Sequence, residues 1–350
     1  MNPHDYFESQ IGQILCPVSD FKKGVLDTTY LMRHDGSFVY VEGYYHPPGK
    51  VIGKIIYCPK EGGKIDIHGR AYASMVKGEK DGQTTYTPHD EQIRQHYLID
   101  PTLEKEDLIV TKFHVVFPMS GFRGYFNDRL SLFYAMGKFP LVGKAVENVS
   151  RFLEIPISRL GITGSTALGR RGEHSDVDLV IFGTVAQNRE TAARIADHIH
   201  RTPEARVVEF GKFWPLRFNY QGIEMCPAYV YMDLDEVPLR NCTVELVKDN
   251  VEAFGTVSDD THAIYNPPVV TLSEVWIDGK RADDITFIVY DGSLRGEFYP
   301  RERLGVRGRL VRVKKDGKEF LALFAFDAGD ITRQQFVKGV PTLAPPPPKA

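Results

Sequence analysis

The chain has 350 residues, of which 42% are hydrophobic and 25% charged, with a formal net charge of -3. That composition fits a globular protein of two or three domains and excludes wholesale disorder, collagen-like sequence and a small disulfide scaffold. The small negative charge means that any nucleic-acid binding needs a local basic patch. No apolar run approaches the roughly 18–20 residues that span a bilayer, so no membrane partner is expected. The opening MNPHDYFESQ lacks the basic-then-apolar order of a signal peptide.

Tight turns mark the first third. Asp35-Gly36 and Asp81-Gly82 read as hairpin dipeptides. The arm Ser37 to Val41 is rich in β-branched and aromatic residues, and Val51 to Tyr57 continues the strand-like pattern. Between 104 and 118, Leu108-Ile109-Val110 and Val115-Val116-Phe117 look like strands. A β-rich domain is expected over residues 1–125.

The period then changes. Val142, Ala145, Val146, Val149, Phe152 and Leu153 share one face of a helix, which Pro156 ends. A short strand, Leu160 to Thr163, runs into Gly164, and a second, Val177 to Phe182, ends at Gly183. A helix from about Arg189 to Arg201 follows, then strands Ala205 to Phe210 and Leu216 to Tyr220, a Gln221-Gly222 turn, and Ile223-Glu224-Met225. This middle, residues 126–240, reads as α/β or α+β. In the last quarter Asp278-Gly279, Asp291-Gly292 and Asp316-Gly317 punctuate a meander of Val275–Ile277, Ile285–Tyr290, Val306–Val313 and Phe320–Phe326. A small barrel or curled sheet is expected over 241–338. Residues 339–350 form a proline-rich tail, expected to be disordered.

The four cysteines, Cys16, Cys58, Cys226 and Cys242, form no CxxC pair and read as thiols in a reducing cytosol. His198 and His200 stand two apart on a helix and so point to different faces, a poor arrangement for one metal.

The chemistry concentrates in GSTALGRRGEHSDVDLVIFG, residues 164–183. Asp176 and Asp178 flank Val177 at the start of a strand, so alternation sends both carboxylates to one face. Two acids beside an apolar core repel unless a cation sits between them, and hard oxygen ligands suit Mg²⁺ or Mn²⁺. Gly164 lets the backbone approach a ligand, the helix that follows presents free N–H groups to an anion, and Ser165 adds a hydroxyl. Arg170 and Arg171 add positive charge close by. Together these describe a site for a metal-bound polyphosphate. Glu224 is the candidate for a third acid, Glu209 the alternative, and Asp233 and Asp235 fall in a loop. The glycine run also resembles a P-loop, but it lacks the lysine and the Ser/Thr that hold phosphate and Mg²⁺, so a P-loop NTPase is rejected.

Gly164-Ser165, the eleven-residue step to Asp176-x-Asp178, Ser175 before and Leu179 after resemble the signature of the DNA polymerase β-type nucleotidyltransferase superfamily, and most closely its minimal members. The resemblance covers about residues 142–232. It implies an α+β fold with a central nucleotidyltransferase domain between β-rich flanks. It further implies transfer of a nucleoside monophosphate from an NTP to an acceptor hydroxyl, with pyrophosphate released. On that carry-over Asp176 and Asp178 hold both metals, Glu224 holds the catalytic one and helps activate the acceptor, and Gly164 and Ser165 grip the β- and γ-phosphates. Glutamate where the family commonly has aspartate is a departure at the third position.

Bland readings stand beside these. The aspartates could cap a strand end, Glu224 could be a surface residue, and Arg170 and Arg171 could be loop charges. Arg295, Arg301, Arg303, Arg307, Arg309, Arg312, Lys314, Lys315 and Lys318, with Phe298 and Tyr299 interleaved, could track an RNA backbone or form an ordinary charged face. Trp214 and Trp276 read as packing residues. The acceptor stays open among an RNA 3′ end, slightly favoured, a protein hydroxyl and a small molecule. A catalytically silent domain of this fold that binds nucleic acid or regulates is the rival.

Overall fold

A computed structural model describes residues 2–21, 24–80, 83–103, 108–170, 176–209 and 211–334. The expectations for Asp81-Gly82, Arg171, Ser175, Phe210 and the tail from 339 lie outside the described residues. The chain divides into two compact units, Met1–Asp107 with Phe113–Val180, and Leu108–Lys112 with Ile181–Ala350.

The first unit is built on an eight-stranded antiparallel sheet. Its order is Leu15–Cys16, Phe122–Phe126, Tyr30–Arg33, Phe38–Val41, Lys50–Pro59, Arg70–Ser74, Ile65–Ile67, with Val115–Pro118 also on Lys50–Pro59. Lys50–Pro59 pairs with Phe38–Val41 along one edge and is long enough to serve two more partners along the other. Lys50 to Gly53 pair with Val115–Pro118, and Tyr57 to Pro59 pair with Arg70–Ser74.

Both faces of this sheet are buried, so its strands carry apolar residues at successive positions rather than alternating with polar ones. Tyr30, Met32, Phe38, Tyr72 and Phe126 pack on one side with Phe7 and Ile11 of helix α1, Pro3–Ile11. Leu31, Val39, Val41, Val51, Ile55 and Phe117 pack on the other, beside Ile93 and Tyr97 of helix α2, His89–Ile99. The buried His96 ties α2 to the sheet, its Nε2 accepting from Ile55 N at 2.6 Å.

Helix α3, Asp128–Lys138, starts at Asn127, whose side chain accepts from the N–H groups of Arg129 and Leu130. Helix α4, Pro140–Leu153, buries Val142, Ala145, Val146, Val149 and Leu153, the face the period marks. It stops at Glu154, which turns left-handed (φ 55°) two residues before Pro156. Helices α1, α2 and α3 were not expected from the sequence. Leu108-Ile109-Val110, expected as a strand, is irregular.

The strand Leu179–Gly183 carries the chain into the second unit. Thr184 and Gln187 form a capping box that opens the helix Val185–Arg201. His198 lies against the rings of Phe218 and Tyr220, while His200 is exposed. The helix packs on a three-stranded antiparallel sheet of Arg206–Glu209, Lys212–Tyr220 and Ile223–Met225.

The last part of this unit is a ring of pairings. Cys242–His262 pairs with Val269–Ile277, that with Ile285–Val289, that with Lys318–Ala325, that with Arg303–Lys315, and the last with Cys242–His262 again. Val251, Ala253, Val257, Leu272, Phe287, Phe298, Leu304 and Leu323 fill the inside. Asp278-Gly279 and Asp316-Gly317 take positive φ at both residues, as tight hairpin turns require. Asp291-Gly292 makes no hairpin; the Asp291 side chain accepts from Ser293 N and caps a single 3-10 turn. Among the described residues no helix is long and apolar enough to cross a membrane.

Candidate active site

The strand Leu160–Ile162 is fully buried and delivers Thr163 to the turn. Thr163 N donates to Asp178 O at 2.9 Å, and its hydroxyl donates to Thr28 O at 2.7 Å. The strand end is therefore tied to the aspartate segment on one side and to the neighbouring sheet's loop on the other. Gly164 follows with φ +65°, the left-handed region that a Cβ disfavours.

Two anchors hold the rest of the turn. Leu168 is fully buried among Phe7, Tyr30, Tyr72 and Phe126. Gly169, at φ +77°, lies against the His68 ring so closely that a Cβ there would meet His68 Nε2 at 2.5 Å. Lys138 Nζ donates to Gly169 O at 3.0 Å and sits 3.2 Å from His68 Nδ1. Burial first, and the Lys138 charge second, hold His68 down at about 4, so the ring is neutral. From Leu160 to Arg170 every residue except Gly164, Ser165 and Arg170 is buried.

Asp176 and Asp178 are half-buried, and Val177 between them is fully buried. A carboxylate oxygen of Asp176 lies within 4.8 Å of one of Asp178. Asp178 also reaches the turn: a Cβ on Gly164 would stand 1.8 Å from Asp178 Oδ2 and 2.6 Å from its Cγ. The structure thus brings Gly164, Asp178 and Asp176 together, with Ser165 next in the chain. Two hard oxygen donors at this spacing fit a divalent cation such as Mg²⁺.

A set of tyrosines, unforeseen from the sequence, shares this environment. Burial pushes the Tyr57 phenol up to about 12; Arg170 counteracts this, while Asp178 and Asp176 add to it. Burial, the phenols of Tyr57 and Tyr40, and Asp178 raise Tyr30 as well. Tyr30 and Tyr40 face each other across their strands, ring centroids 5.1 Å apart. Tyr40 and Tyr57 stand in runs that read as strands, but alternation alone does not say that those strands meet a segment over a hundred residues away.

In the second unit, Glu224 pairs across the strands with Asn219. Arg217 Nη1 lies 2.8 Å from Glu209 Oε2 and 3.8 Å from Glu224 Oε1, so both candidates for a third acid share one cation. The Arg217 guanidinium stacks 4.1 Å from the Trp214 ring centroid, and Lys212 approaches the same ring at 4.6 Å. Asp233 caps a short turn through Asp235 N, and Asp235 pairs with Arg240 at 3.5 Å.

The C-terminal cations divide. Arg309 is buried against Asp249 and donates to Leu108 O. Arg312 pairs with Glu319, and Lys314 with Glu245. Phe298 is core. Tyr299 Oη is buried without a hydrogen bond among the described residues. Arg303 and Arg307 stay exposed.

No curated protein and no solved structure matched the chain. A family did: the model for the nucleotidyltransferase domain matches residues 143–223, a stretch that takes in Gly164, Ser165, Asp176 and Asp178 and ends one residue before Glu224. Over that stretch the chain matches a nucleotidyltransferase domain, consistent with its resemblance to the polymerase β type.

Proposed function

We propose that the chain transfers a nucleoside monophosphate from an NTP to an acceptor hydroxyl, an RNA 3′ end being the favoured acceptor. The acceptor oxygen bonds to the α-phosphorus, the bond from that phosphorus to the bridging oxygen breaks, and pyrophosphate leaves with the electron pair. The observation that carries this reading is the seat of the Asp178 carboxylate on Gly164. The resemblance makes this acid a metal ligand and assigns the turn beneath it to the triphosphate, so the closeness of the two supports the reading.

Asp176 and Asp178 would hold Mg²⁺ or Mn²⁺, which when bound offsets the charge of the triphosphate and of the leaving pyrophosphate. Gly164 N–H and the Ser165 hydroxyl hold the β- and γ-phosphates, and Arg170, with Arg171, supplies positive charge near them. Glu224 takes the third acid's role and helps draw the proton from the acceptor hydroxyl. The clamp of Leu168, Lys138 and His68 keeps the turn in one shape, so the donors are set before the nucleotide arrives.

The test is incubation with each labelled NTP, Mg²⁺ or Mn²⁺, and RNA, DNA and protein acceptors. Covalent label on an acceptor supports the proposal; binding or hydrolysis alone sinks it. The rival, a silent nucleic-acid-binding domain, has one observation on its side: Arg217 sits between Glu224 and Glu209. Label transfer overturns that rival.

A further inference from the structure

Thr28 holds a backbone shape that its side chain resists. Its φ is +73°, in the left-handed region, where a β-branched residue is an outlier. It is fully buried, and such a conformation persists only where the surroundings fix the residue on several sides. Here they do. Thr28 N donates to Val41 O at 3.2 Å, Thr28 O accepts from the Thr163 hydroxyl at 2.7 Å, and Thr28 Oγ1 donates to Asp128 Oδ2 at 3.3 Å.

These bonds join distant parts of the first unit to the candidate site. Thr163 precedes Gly164, and its own N–H donates to Asp178 O. Asp128 is the first residue of α3, the helix whose last residue, Lys138, donates to Gly169 O. Helix α3 therefore grips the turn at both ends, directly from Lys138 and by way of Thr28 and Thr163 from Asp128. It also packs on Leu160–Ile162 and on Gly164–Ala167. A shift of Thr28 O would move Thr163, and with it the fit of Asp178 on Gly164.

Asp128 is the buried ionisable group of this relay. Asp27, also buried, precedes Thr28, and its Oδ1 accepts from Gly43 N at 2.7 Å. Arg129, the next residue on the helix, is exposed. Leu160–Ile162 and Gly164–Ala167 carry no ionisable side chain, and those of α4, Lys144, Glu147 and Arg151, are exposed. Burial holds the proton on the Asp128 carboxyl; the Thr28 hydrogen bond acts against it, Asp27 with it, and Arg129 and the start of the helix against it. An ionised Asp128 would face Asp27 with no buried cation beside it, a state that opening the Thr28 segment to water relieves.

We propose that Asp128 is a positioning residue: acting through Thr28 and Thr163, it sets the turn that the proposed function gives to the triphosphate, and loss of its proton loosens that turn. The relay stands on hydrogen bonds of the fold; its effect on a nucleotide rests on the proposed function.

Hydrogen exchange of residues 160–170 in the full chain, without nucleotide, reads the turn apart from the chemistry. Corrected for the intrinsic rate, exchange in the wild type should rise about nine-fold from pH 7 to pH 9, as the ionised fraction of a carboxyl near 8 does. Asp128→Asn keeps an acceptor for Thr28 Oγ1 but cannot ionise, so its exchange should stay flat. Thr163→Val should exchange fast at both pH values, and Thr163→Ser, which restores the hydroxyl, should match the wild type. In the wild type the infrared band of a protonated buried carboxyl, missing from Asp128→Asn, should fade over the same range. Binding of a fluorescent NTP with Mg²⁺ and no acceptor should weaken wherever exchange rises. Flat exchange in the wild type, or wild-type exchange in Thr163→Val, overturns the proposal. So does a pH response that persists in Asp128→Asn, which would give it to Lys138 at the other end of the helix. The expected exchange pattern in a chain that binds no NTP upholds the relay and sinks the nucleotide reading of the turn.

Discussion

The carboxylate of Asp178 rests on the Cα of Gly164, so close that a single added methyl would stand 1.8 Å from Oδ2. Gly164→Ala should therefore displace Asp178 as well as strain the turn. The left-handed backbone alone costs roughly 1–2 kcal/mol for an alanine. Gly279→Ala is the control, since Gly279 has φ +76° but nothing within 4 Å of the added carbon. Both variants should lower the melting temperature, but only Gly164→Ala should abolish label transfer.

Asp176 and Asp178 repel each other across less than 4.8 Å. A divalent ion held by the pair would relieve this, so Mg²⁺ or Mn²⁺ should raise the melting temperature and a chelator should reverse the rise. Asp176→Asn and Asp178→Asn each remove one charge. Either should leave the fold intact without metal, shrink the metal-induced shift, and reduce transfer by at least about a thousand-fold. A full metal shift in both variants would move the ion elsewhere.

The Gly-Ser turn and the acid pair were legible because each is local: a glycine at a strand end and two acids at alternating positions need no partner to be noticed. Helix α4 was legible through its unbroken apolar stripe. The three missed helices bury little apolar surface of their own. Helix α2 buries Gln92 and His96, α3 buries Asp128 and Ser131 beside Leu132 and Ala135, and α1 buries only Phe7 and Ile11. Polar burial leaves no period to count. The long strand Cys242–His262 was missed for a related reason. Glu245 to Asn250 are all exposed, and the register slips near Leu246 and Lys248, so alternation is lost in its first half. Nor did sequence reveal that Arg309 is buried and Trp276 is not, because each depends on what the strand next to it carries.

Two buried groups set opposing acid responses in the first unit. Burial, with Asp27 adding to it, pushes the Asp128 carboxyl up to about 8, though Thr28 Oγ1 donates to it at 3.3 Å. The folded chain keeps that proton while the unfolded chain loses it near 3.8, so this group's contribution falls as pH rises from about 4 to 8. Burial holds His96 down at about 4, with Nε2 accepting from Ile55 N. Its contribution is full above the ordinary 6.5 and is lost as pH falls through 4. Asp128→Asn should raise the melting temperature at pH 8 more than at pH 5. His96→Gln should lower it at pH 7 and lessen the acid sensitivity between pH 6 and 4. Parallel melting curves for wild type and Asp128→Asn across that whole range would contradict the first assignment.

Arg217 decides how Glu224 is to be tested. Its guanidinium, 18% exposed, is shared between Glu209 at 2.8 Å and Glu224 at 3.8 Å, so the shorter pair is the structural one. Glu209→Gln should then lower the melting temperature by a few degrees and leave transfer nearly unchanged. Glu224→Gln should scarcely alter stability yet reduce kcat about a hundred-fold or more, because an amide neither holds a cation nor takes a proton. Arg217→Met separates the roles further. It leaves two neighbouring carboxylates without their shared cation, which lowers stability, but it also frees Glu224, so activity per folded molecule should hold or rise. Wild-type kcat in Glu224→Gln, with loss in Glu209→Gln, would give the third acid to Glu209, and wild-type kcat in both would remove the third acid from this hairpin.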